Sequence, residues 1–421
     1  MFKQYLTLIQ NKTEFRYLWF AQVISLFGDW FGTIATVILI SRYTDSGVAV
    51  GTVFVLRALP PFILGPLAGV IADRFDRKKV LIVSDLLRFV IVLGFLLVRD
   101  GSLVWLIYLL TVLQFSISAF FEPARNALLP TLVSKDVLLV ANTLSSSTWS
   151  AMLAFGAAIG GAVTGVFGTD TAIILDALTF LLSAASVMQI MSDTRPIRDE
   201  AEIGGGWMDM MDGFRYVLDR PRIGVLTLTK GMSQVGTADI MIALYAAQVF
   251  IIGEDGAITL GALYASFGVG AIFGPVIGNA LGDDSDRFLQ NFILVGFLVM
   301  PVGWILFGAA PLLPIAMLGI FFRAIGGSIN WVYSSVLIQM KVPDKFMGRV
   351  FALDFSIFTL MMAIAVWGTG FLIDTFDIDP RTMSFYLAAG HLAPALLWWY
   401  FISNRNLSPA AAPDLAPTGQ D

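Results

Sequence analysis

Long apolar runs broken by short polar clusters recur from one end of this chain to the other. Residues 58–72 carry no charge, the seven residues 73–79 carry six, and residues 89–98 again carry none. A helix that crosses a bilayer needs about 20 mostly apolar residues. Twelve segments meet that requirement, centred near Asp29, Pro61, Val90, Leu113, Gly156, Leu181, Asp239, Gly268, Leu298, Ala324, Met361 and His391. The pattern predicts an all-α membrane protein of twelve transmembrane helices.

Between the sixth and seventh segments the pattern changes. After Gly204-Gly205-Gly206, the residues Trp207, Met210, Met211, Phe214, Val217 and Leu218 recur at helical spacing, with Asp209, Asp212, Arg215 and Asp219 elsewhere on the wheel. This predicts an amphipathic helix lying on the membrane surface. Pro221 suits the first turn of the seventh helix. The Ala- and Pro-rich residues 408–421 are expected to be disordered.

Charge adds orientation. With the N-terminus placed inside, eighteen Lys and Arg fall on cytoplasmic segments and three, Arg42, Arg99 and Arg381, fall outside. That bias puts both termini in the cytoplasm. The chain is 57% hydrophobic and 14% charged, with a mean hydropathy of +0.79. Its net charge of −5 comes without a basic block, so nucleic acid is not an expected partner. It has no cysteine, hence neither disulfides nor thiolate metal ligands. Residues 1–11 do not form a signal peptide, and the first helix is expected to stay in the mature protein. No phosphate-binding loop, catalytic triad or metal cluster is present, which argues against an enzyme, against ATP hydrolysis by this chain and against a cofactor.

The two halves repeat at an offset of 209 residues. Gly65-Pro66 recurs as Gly274-Pro275, Gly69 as Gly278, Gly94 as Gly303, Gly161 as Gly370 and Asp170 as Asp379. A constant offset across several helices is more than the general frequency of membrane glycines provides. It divides the chain into a six-helix bundle at 1–192, a linker at 193–220, a second six-helix bundle at 221–403 and a tail at 404–421.

The cluster that follows Gly65, from Gly69 through Asp73, Arg74, Arg77 and Lys78, has the form Gly-x-x-x-Asp-Arg-x-x-Arg-Lys. It resembles the loop signature between the second and third helices of the major facilitator superfamily. Ser25-Leu26-Phe27-Gly28-Asp29, Leu56-Arg57-Ala58-Leu59-Pro60, Phe121-Glu122-Pro123-Ala124-Arg125-Asn126 and the segment from Val342 to Val350 resemble the branch of macrolide-efflux proteins and enterobactin exporters. The resemblance implies two pseudo-symmetric six-helix bundles with substrate bound between them near the midplane, in a cell membrane of prokaryotic type. It also implies a cytoplasmic gate. Asp73 would face the helix start after Gly348, and Arg77 or Arg74 would meet Glu122, beside Arg125. A plain solvated loop kept basic for topology is the competing reading. Two departures stand out: Asp76 replaces a customary glycine in the loop, and Gly156-Ala157-Ala158-Ile159-Gly160-Gly161 lacks the proline of the antiporter motif it resembles.

Charged side chains inside a bilayer cost about 2.5–3.5 kcal/mol at the helix centre on insertion scales, so each needs a reason. Asp29 and Arg57 are within reach of one another across two helices. Asp239 lies one residue from the repeat equivalent of Asp29. A buried carboxyl is disfavoured in its charged form, so two such acids facing a cavity suit proton coupling, with Arg57 and Arg323 as the neighbouring cations. The alternative is fixed ion pairing, with Asp29 on Arg57 and Asp239 on Lys230 or Arg323. Asp85 and Arg88 read as a local pair, Asp176 as reaching water near the end of its helix, and His391 as a packed residue. The reading is a monomeric secondary transporter that exports a bulky amphipathic small molecule in exchange for protons. Lysophospholipid flipping or uptake is the alternative, and a non-transporting sensor the more distant one.

Overall fold

A computed structural model describes residues 8–10, 13–134, 137–192, 214–281 and 285–403. The first bundle comprises α1 (Thr13–Tyr43), α2 (Gly47–Arg74), α3 (Arg77–Gly94), α4 (Val104–Leu132), α5 (Leu138–Phe167) and α6 (Thr169–Met188). The second comprises α7 (Pro221–Met232), α8 (Ala238–Leu244), α9 (Ala257–Leu281), α10 (Asp286–Gly308), α11 (Leu313–Lys341), α12 (Asp344–Phe376), α13 (Pro380–Gly390) and α14 (Leu392–Ser403). Eleven stretches are long and apolar enough to cross a membrane, with α13 and α14 forming one of them. No strand occurs among the described residues.

The seventh crossing departs from the continuous helix expected around Asp239. It is built from α7 and α8, interrupted over residues 233–237, and α8 opens into a π turn at Tyr245–Val249. The hydroxyl of Thr237 caps α8 by accepting from the Asp239 N–H. An interrupted helix leaves backbone carbonyls without partners, which is tolerated at membrane depth only where protein groups take their place. Arg323 of α11 donates to the Ser233 carbonyl at 3.4 Å, and Asn330 donates to the Ser233 hydroxyl at 3.0 Å. Arg323 thus serves a carbonyl at the interruption, and Asn330 anchors the side chain of the same residue.

Within the first bundle α1 packs on α5 and α6, α3 on α4 and α6, and α2 on α4; in the second, α10 and α9 pack on α11 and α7 on α12. Two seams join the bundles, α5 on α9 and α2 on α12. Both run on glycine. A Cβ at Gly161 would stand 2.6 Å from the Cα of Gly261, and one at Gly370 would stand 2.6 Å from the carbonyl carbon of Gly47. Small residues let membrane helices approach closely without an apolar driving force. Gly161 and Gly370 are partners in the 209-residue repeat, so the two seams are one contact with the bundles exchanged.

The end of the molecule distal to the termini is closed by polar contacts. Arg42 at the end of α1 pairs with Glu254 and with Asp255 (2.7 Å), and also donates to the Thr169 hydroxyl at 3.2 Å. Gln248 donates to the Asp45 carbonyl at 3.4 Å. The expected surface helix falls mostly on residues 193–213 and the disordered tail on 404–421, both outside the described residues. Residues 214–218 are helical, and Tyr216 stacks on Phe346 at 4.3 Å between ring centres.

Candidate functional site

Asp29 stands at the midpoint of α1 and opens onto a small polar pocket lined by Gly32, Thr33, Thr36, Arg57, Thr111, Gln114 and Phe115. The pocket measures about 10 Å³, near the lower limit for one water molecule. Arg57 does not form the expected ion pair with Asp29. Its guanidinium donates to the Thr33 hydroxyl at 2.6 Å, which in turn donates to the Asp29 main-chain carbonyl at 2.6 Å. The guanidinium carbon also lies 4.7 Å from the centre of the Phe115 ring, a favourable cation–π placement. Arg57 and Asp29 therefore share a pocket while the Asp29 carboxylate keeps no ion pair among the described residues.

Asp176 corrects the expectation more sharply. It is 0% exposed, and neither carboxylate oxygen has a hydrogen-bond partner among the described residues. It lies seven residues into α6, about 10 Å along the helix, on the face packed against α1. A Cβ at Gly32 would meet its Oδ2 at 2.0 Å and one at Gly28 its Oδ1 at 2.9 Å, so the two glycines flanking Asp29 form the cradle for this carboxyl. Position along the helix alone put Asp176 near water; the helix face it occupies takes it into the bundle. On α3, Asp85 and Arg88 form the expected buried pair, with the guanidinium carbon 4.5 Å from the Phe121 ring centre and 4.3 Å from that of Phe180.

The second bundle pairs its charges differently from expectation. Lys230 makes a buried ion pair with Asp354 of α12, beneath the ring of Trp331 at 4.6 Å. Asp239 accepts from the Tyr264 hydroxyl at 3.0 Å and from the Thr237 hydroxyl at 3.2 Å. Arg323 serves the broken seventh crossing. Tyr264 in turn packs on Trp30 of α1, 5.2 Å between ring centres, so Asp239 sits directly behind a contact between the bundles. Asp354 was open to discovery from sequence, since it is the lone charge across residues 350–373.

The charged cluster between α2 and α3 proves to be a clamp on helix ends. Asp76, the departure from the customary glycine, caps α3 by accepting from the Lys78 N–H at 3.0 Å. Arg77 reaches the Ala127 carbonyl of α4 at 3.0 Å and the Ala72 carbonyl at 3.3 Å instead of Glu122. Lys78 donates to the Met188 and Ile190 carbonyls at 3.0 and 2.7 Å, at the end of α6 and just past it. Helix C-termini leave carbonyls free and favour cations, which explains the Ala72 and Met188 partners. Glu122 pairs with Arg125 at 2.8 Å, and Arg125 also donates to Gln22 at 3.0 Å. Arg74 is exposed. Gly69, Asp73 and Gly348 lie within α2 and α12, with their side chains outside the described residues.

A family profile described as transmembrane secretion effector matches residues 8–413. The BacE protein of Bacillus subtilis (strain 168), whose name assigns it to bacilysin export, is 26% identical over 347 residues, covering 82% of this chain and 84% of that protein. Macrolide efflux protein A of Streptococcus pyogenes is 24% identical over 378 residues, covering 87% of this chain and 91% of that protein. Among solved structures, a bacterial homologue of the human lysosomal transporter Spinster superimposes with a TM-score of 0.70 at 15% identity, over 95% of this chain and 99% of that one. The nucleoside transporter NupG gives 0.71 at 11% identity, over 93% and 98%. At such identities the structural likeness speaks for the fold alone. The profile spans nearly the whole chain, and the sequence motifs, the paired bundles and the glycine seams agree with it: this chain belongs to the transmembrane secretion effector family of major facilitator transporters.

Proposed function

We propose that this protein exports a bulky amphipathic small molecule across a prokaryotic inner membrane in exchange for protons, by alternating access, with both termini cytoplasmic. The observation that carries this reading is Asp29, a mid-membrane carboxyl on a polar pocket with no ion pair among the described residues. A buried carboxyl of this kind takes up a proton when the pocket is empty and gives it up when a positive or polar substrate group arrives. Arg57, fixed on Thr33, holds the pocket's counter-charge. Asp239, behind the Trp30–Tyr264 contact, is placed to sense whether the bundles are together. The distal latch supports a cycle in which one end opens as the other closes. Export as the direction draws support from relatives that are named for efflux, and orientation from the positive-inside bias.

The test is substrate accumulation in everted membrane vesicles, with fluorescent dyes, macrolides and a catecholate siderophore as the panel, with and without a proton uncoupler. The expected result is uncoupler-sensitive accumulation that Asp29→Asn abolishes while insertion stays normal. Loss of stable insertion in Asp29→Asn, rescued by Arg57→Leu, would reassign Asp29 to structure. Lipid translocation without any accumulation of the panel would replace export by lysophospholipid flipping.

A further inference from the structure

One guanidinium in the second bundle is short of partners. Of the buried arginines, Arg88 is paired with Asp85 and Arg125 with Glu122, whereas Arg323, 4% exposed, has no ion pair among the described residues. Its one hydrogen bond among them is the 3.4 Å donation to the Ser233 carbonyl, its Nε has no acceptor, and the Phe267 ring centre is 5.6 Å away. Asp239 attracts it through space, but the Asp239 oxygens accept from the Tyr264 and Thr237 hydroxyls. The helices packed on α11 are α7, α9 and α10; their single acid, Asp286 at the start of α10, pairs with Lys341. A guanidinium stays charged and offers five donors. Holding the Ser233 carbonyl needs one N–H, which an amide supplies as well, so the charge needs another reason.

Free space adjoins the group. A Cβ at Gly327, the midpoint of α11, would meet only the Arg323 Nη1 among the described residues, at 3.4 Å. Arg323, Gly327 and Trp331 form a row at i, i+4 and i+8 on one face, about 12 Å long. The row looks between α7 and α9. Arg323 reaches Ser233 at the end of α7 and Phe267 of α9, and Trp331, 40% exposed, covers Lys230 of α7. The exposed Leu318, Phe322 and Met340 lie on the far side of α11, toward lipid. Gln114, the repeat partner of Arg323 at the 209-residue offset, lines the Asp29 pocket in the first bundle.

We propose that Arg323 binds a carboxylate of the exported molecule, with Gly327 giving it room and Trp331 holding its apolar body, so that the substrate is an amphipathic acid. Its acid group sits in the second bundle while a positive or polar end meets Asp29 in the first, and one molecule spans both halves near the midplane. A carboxylate there gains charge-assisted bonds from a donor already stripped of water. An ester of the same compound leaves the guanidinium unserved, and a site built for a polar group rejects the analogue that lacks it.

This inference rests on the export reading for the role of the site, though binding is measured without transport. The experiment is fluorescence polarisation of a carboxyl-bearing rhodamine and of its methyl ester, titrated with the purified full-length protein in lipid nanodiscs against empty nanodiscs. Wild type should bind the acid roughly tenfold more tightly than the ester. Arg323→Gln, which keeps an N–H for Ser233, should bring that ratio to about one. A merely structural Arg323 would lower the affinity for both dyes together and leave the ratio unchanged. No preference for the acid in wild type, binding of neither dye included, overturns the proposal, as does a ratio that survives Arg323→Gln. Should that variant fail to fold, Gly327→Leu fills the space beside Nη1 and should lower the ratio in the same way; an unchanged ratio there overturns the proposal too. A ratio that behaves as expected, in vesicles whose accumulation ignores the uncoupler, would refute proton-driven export and leave the acid site standing. Uncoupler-sensitive accumulation with equal binding of both dyes would do the reverse.

Discussion

Asp374, in the last turn of α12, caps the start of α2 in the opposite bundle. Its carboxylate accepts from the Gly47 N–H at 2.7 Å, the Val48 N–H at 3.0 Å and the Ser46 hydroxyl at 2.6 Å. First-turn N–H groups of a helix have no partner of their own, and an anion there is favoured by the helix dipole. Here the partner comes from the other half, so a local capping bond becomes a bond between the two bundles. Asp374→Ala should cost distal closure about 1–2 kcal/mol, roughly a tenfold shift towards the separated state. Spin-label distances across the distal end can read this, and the chain has no native cysteine to compete for the label.

The glycine seams make a second prediction. A side chain at Gly161 would collide with the Gly261 backbone, and one at Gly261 would stand 2.5 Å from the Ala157 carbonyl oxygen. Backbone cannot step aside as a flexible side chain can. Gly161→Val should hold the distal end ajar and abolish transport without blocking insertion, and Gly370→Val should do the same at the mirrored seam. Maleimide labelling of a cysteine placed at Thr36, on the pocket wall, should then rise from the distal side.

Lys230 and Asp354 are a buried pair, at 4% and 1% side-chain exposure. Removing one partner leaves an uncompensated charge, whereas replacing both can be neutral. Lys230→Met should destabilise the protein by about 3–5 kcal/mol. The double variant Lys230→Met/Asp354→Leu should recover most of that loss in thermal unfolding. A double variant no better than the single one would show that the pair has a further role.

Asp379 carries a pH prediction. The Thr382 hydroxyl first, then the Thr382 and Arg381 N–H groups at the start of α13, hold this carboxyl below its usual range despite some desolvation. A folded-state value below the unfolded one means stabilisation that is fully present above the unfolded value and fades as pH falls through the folded one. Asp379→Ala should therefore cost about 1 kcal/mol at neutral pH. The difference in melting temperature between variant and wild type should vanish on acidification below about pH 4.

Most of the architecture was legible because lipid allows so few backbone solutions. Twelve crossings, the repeat and the polar cluster could be read from hydrophobic runs and spacing alone. What could not be read was which face of a helix a polar residue occupies. Asp176 is the clearest case: counting from the helix end placed it near water, while rotation about the axis placed it behind Gly28 and Gly32. Partner choice failed for a related reason. Arg57 went to Thr33, Arg77 to main-chain carbonyls and Lys230 to Asp354, because side chains settle with whatever acceptor the packing brings nearest. The break in the seventh crossing was hidden because residues 233–237 carry no proline, and the side chain that serves the Ser233 carbonyl, Arg323, lies 90 residues away in the chain.

Arg42, Glu254 and Asp255 close the distal end with side chains that are 33%, 34% and 42% exposed. Such charges feel the surrounding electrolyte, whose screening length is about 8 Å at physiological ionic strength and about 30 Å at 0.01 M. The buried groups of the pocket lie beyond that influence. Dilute surroundings therefore strengthen this contact and saline ones weaken it, a modest bias for pairs this exposed, added to the hold of the glycine seams and the Asp374 cap.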